Sequence, residues 1–138
     1  MKKTIAMTLF LMGLGMSVKS IAQNKLDVFN DATCSVSFTF LEDANGTCPL
    51  PIGNSIPAGP GQTQRYGTGG TNYIYSVTVT GTCGGTPPPN LTVEDCNVTS
   101  CASCTSTNLS GTICICGITY IVDFTPATAG VNASVWIH

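Results

Sequence analysis

The sequence predicts an all-β fold: a single antiparallel β-sandwich of about immunoglobulin-domain size, stapled by disulfides, with a small β-barrel as the alternative. Three observations carry that reading. Apolar residues return at every second position in several short runs, the spacing that places them on one face of a strand. No run keeps the 3.6-residue period of an amphipathic helix. Glycine, proline and Asn-Gly pairs separate the runs, with 15 glycines and 8 prolines among 138 residues, and these are the residues turns require.

The chain opens on a predicted secretory signal peptide, residues 1–22. Lys2 and Lys3 form a positive start, residues 5–18 are mostly apolar, and Ser20-Ile21-Ala22 before Gln23 fits the small-x-small cleavage rule. A retained anchor is the rival reading, but the apolar run is shorter than the roughly 20 residues that span a bilayer, and Gly13 and Gly15 interrupt it. Cys34 follows Asp31-Ala32-Thr33, which does not resemble a lipoprotein box, and no later stretch is apolar enough to span. The expected product is one secreted domain, residues 23–138, placed in the periplasm or at the cell surface; the Met-Lys-Lys opening resembles a bacterial export signal.

The first clear strand is residues 34–40, where Cys34, Val36, Phe38 and Phe40 alternate with small hydroxyl residues. Asn45-Gly46 supplies a turn. Residues 49–64 carry prolines and glycines around Ile52 and Ile56, which suits an edge segment crossing between sheets. A glycine-rich turn, with Gly67, Gly69 and Gly70 but no lysine of a phosphate loop, leads into residues 73–80, the strongest strand. Gly84-Gly85 and Pro87-Pro88-Pro89 end it before Leu91-Thr92-Val93. A cysteine-rich loop spans residues 96–116. Residues 113–124 form two short strands broken near Gly117, with Ile118, Tyr120, Val122 and Phe124 alternating, and Val131, Ala133, Val135 and Ile137 repeat the pattern in the last strand.

Removal of the signal leaves Lys25 and Arg65 as the only cations against seven acids, a net charge of −5. A surface without a Lys/Arg stripe does not suit nucleic acid or anionic lipid. The remaining 116 of 138 residues make one domain able to bury about two thirds of its unfolded surface.

All eight cysteines follow the signal. In an exported domain that reads as a disulfide framework, each bridge adding about 2–4 kcal/mol. Cys34 and Cys48 bracket the first clear strand and Cys83 follows the strongest one, whereas Cys96, Cys101, Cys104, Cys114 and Cys116 crowd together. If Cys114 and Cys116 share a strand face they reach two partners, for which Cys101 and Cys104 are candidates; this leaves Cys96 for Cys83 and Cys34 for Cys48. The same Cys101-x-x-Cys104 spacing suits zinc or a redox pair, and Cys114 and Cys116 could complete four thiolates, but export favours disulfides and no βαβ pattern surrounds it.

Catalytic groups are sparse. The only histidine, His138, stands at the end of the chain, where a frayed and solvated residue is expected. Glu42-Asp43 and Glu94-Asp95 are adjacent pairs whose side chains point to opposite faces of a strand, so a glycosidase dyad is not expected and solvated loop acids are. Two oxygen-rich groups, Glu42, Asp43 and Asn45, and Glu94, Asp95 and Asn97, could hold calcium, although turn-forming Asp and Asn explain both through local hydrogen bonds. Asn45, Asn90, Asn97, Asn108 and Asn132 each begin an Asn-x-Ser/Thr sequon, relevant only to a host that glycosylates during export.

Aromatic placement is the best remaining clue to binding. With Val131, Ala133, Val135 and Ile137 facing the core, Trp136 faces out with Asn132 and Ser134, and Tyr66 is a candidate companion. The first expectation is a non-enzymatic extracellular domain with a structural, adhesive or protein-binding role, able to self-associate through edge strands such as the terminal one. A carbohydrate-binding module using Trp136 and nearby tyrosines is the second, and an inhibitor or enzyme presenting the cysteine-rich loop the third.

Overall fold

A computed structural model describes residues 25–43, 52–59, 61–66, 73–84, 88–97, 99, 101–127 and 131–138. The expected signal peptide, the Asn45-Gly46 turn, Cys48 and the turn at Gly67, Gly69 and Gly70 lie outside these residues. Among the described residues nine strands form: β1 Leu26–Asn30, β2 Val36–Asp43, β3 Ile52–Ile56, β4 Gln62–Tyr66, β5 Tyr73–Thr80, β6 Asn90–Glu94, β7 Ser110–Ile115, β8 Ile118–Thr125 and β9 Ala133–Ile137. No helix occurs among the described residues, so none is long and apolar enough to cross a membrane.

The strands make two sheets, one ordered β4-β1-β9-β8-β7 and the other β3-β2-β5-β6. Their inner faces share one core, in which Leu26, Val28, Val122, Phe124 and Val135 of the first sheet meet Phe38, Phe40, Val77, Val79 and Val93 of the second. The fold is therefore an all-β sandwich.

Two strands escape the alternation rule. β1 is short and its third inward residue is polar: Asn30 is fully buried, with Nδ2 donating to the carbonyls of Cys34 at 3.2 Å and Pro57 at 2.8 Å and Oδ1 accepting from the Ala32 amide at 2.9 Å. Every polar atom of that side chain is used, which is what makes its burial tolerable. β4 is almost wholly polar and exposed; its pairing with β1 is what holds it. β1 also departs from the expected antiparallel scheme, since it runs parallel to β9. Its insertion leaves β9 between β1 and β8, so the last strand is interior and is not the free edge expected of it.

The passage from β3 to β4 changes sheets, as the proline and glycine content of residues 49–64 predicts. Gly59 and Gly61 have φ of 124° and 75°, conformations that favour glycine. The β1–β2 connection anchors them: Gly59 donates to the Ala32 carbonyl at 3.1 Å and Gly61 to Asp31 Oδ1 at 2.7 Å.

The disulfides differ from the expected pairing. Cys34 bridges Cys116, Cys83 bridges Cys114, and Cys96 bridges Cys104; Cys101 is also bridged, to a cysteine outside the described residues. The expected pairing placed Cys114 and Cys116 on one strand face. Instead β7 stops at Ile115, and Cys116 and Gly117 form a tight hairpin turn with φ of 51° and 82°, the positive values of a two-residue turn matched to strand twist. Cys114 stays on β7 and meets the loop after β5, while the turn carries Cys116 to the start of β2. Hydrogen bonds fix the junction, with the Cys116 amide donating to Thr82 Oγ1 at 2.6 Å and the Thr82 amide to the Cys114 carbonyl at 3.1 Å.

Candidate functional site

Alternation along β9 turns Ala133, Val135 and Ile137 into the core and Trp136 outward, as expected, but the strand begins only at Ala133 and Val131, expected on the core face, is exposed. Trp136 is 50% exposed. Parallel pairing sets it opposite Phe29 of β1, antiparallel pairing sets it opposite Asp123 of β8, and exposed Ile121 lies on the same outer face. The Phe29 and His138 rings lie 6.3 Å and 4.9 Å from the indole, within the range of favourable aromatic contact.

Hydrogen bonds hold this cluster in place. Trp136 Nε1 donates to Asp31 Oδ2 at 3.0 Å, and Asp31 Oδ1 takes the Gly61 amide. His138 exchanges two backbone hydrogen bonds with Ile121, at 2.8 and 2.9 Å, and its Nε2 sits 2.8 Å from Asp123 Oδ2. His138 is thus tied into the sheet and not frayed as its position suggested, while its ring stays exposed to solvent as expected. Two carboxylates flank the ring. The Gly61 amide, then the indole N–H, hold Asp31 below the usual carboxylate range, and Ser110, then His138, do the same for Asp123. Farther along β1, Asp27 is lowered chiefly by Arg65, whose Nε lies 2.6 Å away, and also accepts from Asn132 Nδ2 at 2.9 Å.

Tyr66 does not join Trp136. It stands opposite Leu26 on β4, meets Phe38 edge-on at 5.0 Å, and donates to the Ser55 carbonyl at 2.8 Å. It packs, partly buried, against the edge of the core, and that burial raises its phenol pKa. Phe29, Asp31, Ile121 and Asp123 were not singled out from sequence. Phe29 alternates with Leu26 and Val28 as an outward residue should, but that signal speaks only once β1 is known to be a strand.

The acidic groups are not solvated loops. Glu42, Asp43 and Asp95 are 2%, 6% and 8% exposed. β2 runs through both Glu42 and Asp43, and a bulge leaves Tyr75 without an opposite residue, setting Glu42 against Ile74 on the core side. Asp43 Oδ2 accepts from Thr99 Oγ1 at 2.8 Å. Asp95 Oδ1 accepts from the Asn97 amide at 2.9 Å and Asn97 Nδ2 at 2.8 Å, so it organises its own turn; Glu94 pairs through its backbone with Asn108, and Asn45 lies outside the described residues. Sulfurs of Cys104, Cys114 and Cys116 belong to three different bridges, and a bridged sulfur is not a thiolate ligand. Of the sequon asparagines, Asn90, Asn97 and Asn108 are exposed and Asn132 is half-buried.

No protein-family model, no curated protein and no solved structure matches this chain.

Proposed function

We propose that this chain is a non-enzymatic domain of the extracytoplasmic space, a disulfide-held sandwich that presents the Trp136 face to a protein partner in a structural or adhesive role. One observation carries the reading: a half-exposed tryptophan is fixed by hydrogen bonding beside a second exposed aromatic on a rigid sheet. Large aromatics that lose little freedom on contact are the residues that dominate interfaces. The bridges support an oxidising compartment, where such crosslinks persist.

The same ring supports a second reading, a small carbohydrate-binding module, because the tryptophan can stack on a sugar while Asp123 and Ser110, which neighbour it across the sheet, accept from its hydroxyls. Retention of purified oxidised protein on cells from its own culture tests the first reading. Wild-type protein is expected to bind and a Phe29→Ser, Trp136→Ser double variant to wash away while it still unfolds cooperatively, at a somewhat lower thermal midpoint. Equal retention of the two proteins rejects the face as the site.

A further inference from the structure

We infer that the partner met by this face presents a lysine or arginine side chain of a basic protein segment, lodged over Trp136 between Asp31 and Asp123. The inference rests on the protein-binding reading above and names its chemistry. Trp136 has already committed its only polar atom, Nε1, to Asp31, so what it offers a partner is its π system. Hydrogen bonding to a carboxylate makes the indole richer in electrons, and tryptophan is already the best side chain for holding a cation over its ring.

Charge around the ring points the same way. Asp31 receives its hydrogen bonds from two neutral donors, Gly61 and Trp136, and among the described residues no lysine or arginine pairs with Asp31 or Asp123. Asp27 shows the contrasting case, since Arg65 satisfies it. His138 is the one titratable base at the ring, held by Asp123. Outside the first 22 residues the chain has only Lys25 and Arg65 against seven acids, and Arg65 is engaged. With no lysine or arginine of its own on these two carboxylates, the face leaves them open to a cation from a partner, and a net acidic domain attracts a basic partner toward it. A neutral sugar carries no charge to meet the two carboxylates that flank the ring, whereas a lysine or arginine does.

The test is fluorescence anisotropy with the oxidised, full mature chain and three labelled probes: an octapeptide alternating lysine and serine, its glutamate counterpart, and a neutral glucan hexamer. The lysine peptide is expected to bind, the other two not, and its affinity to fall steeply with added salt. Trp136→Leu is expected to cost roughly three- to thirtyfold, the span of a cation over an aromatic ring, and Asp123→Asn, nearly isosteric, about threefold. Unchanged thermal midpoints show that both variants fold. Binding of the lysine peptide that ignores Asp123→Asn and salt, or no binding of it at all, overturns the inference. Binding of the glucan through Trp136 instead overturns it while leaving a ligand-binding face in place; loss of cell retention as well removes the underlying reading too.

Discussion

Removing the bridge between Cys34 and Cys116 should be the most costly single lesion in this frame. The two residues are 82 apart in sequence, and in the chain-entropy description a closed loop of that length withholds about 4.5 kcal/mol of freedom from the unfolded chain. Cys83–Cys114 offers a shortcut, since Cys114 lies two residues before Cys116, and with it intact the loop shortens to at most roughly 50 residues, for up to about 4 kcal/mol. Cys96 and Cys104 are only 8 apart, which gives about 2.5 kcal/mol by the same relation. Double serine variants at each pair, unfolded in urea under non-reducing conditions, measure the difference directly. The Cys34/Cys116 variant should lose about 4 kcal/mol, a drop in thermal midpoint of roughly 15–30 °C for a domain of this size, and the Cys96/Cys104 variant clearly less. Equal losses, or a Cys34/Cys116 loss below about 2 kcal/mol, would refute loop closure as the source of stability.

Other outcomes follow from single sites. Asn30→Ala should cost about 2–4 kcal/mol in urea titration, because it removes three hydrogen bonds from a buried position and strands their partners. Gly81→Ala should cost about 1–3 kcal/mol, since a Cβ there would lie 2.9 Å from the Cys114 carbonyl oxygen and 3.0 Å from that of Pro89, both backbone. Acid should weaken the fold: Asp27, Asp31 and Asp123 are all held below their ordinary value, so their contribution is complete above about pH 4 to 5 and is lost as pH falls through the folded values. The urea midpoint at pH 6 should therefore exceed that at pH 3, with a smaller difference in the Asp27→Asn variant.

The outward Trp136 was legible because strand alternation is local: once Ala133, Val135 and Ile137 face the core, the residue between Val135 and Ile137 cannot. Its companions were not. Phe29 reaches the indole through a parallel pairing of the first described strand with the last, and Asp31 through a contact spanning 105 residues; no spacing within either segment signals such register. Glu42 and Asp43 misled for a related reason, because a bulge against β5 extended β2 past the alternating run and into a buried end.

Local chemistry in the chain determined that it would form strands, where β5 would run, that the chain would cross between sheets after β3, and that a sharp turn would fall at Gly117. These outcomes depend on residue type and on periods of a few positions. Only tertiary structure decided which strands became neighbours, which cysteines met and which acids were buried. Each of those is a contact between distant segments, set by how two sheets close on one core, and a turn of two residues, as at Cys116 and Gly117, is enough to redirect it.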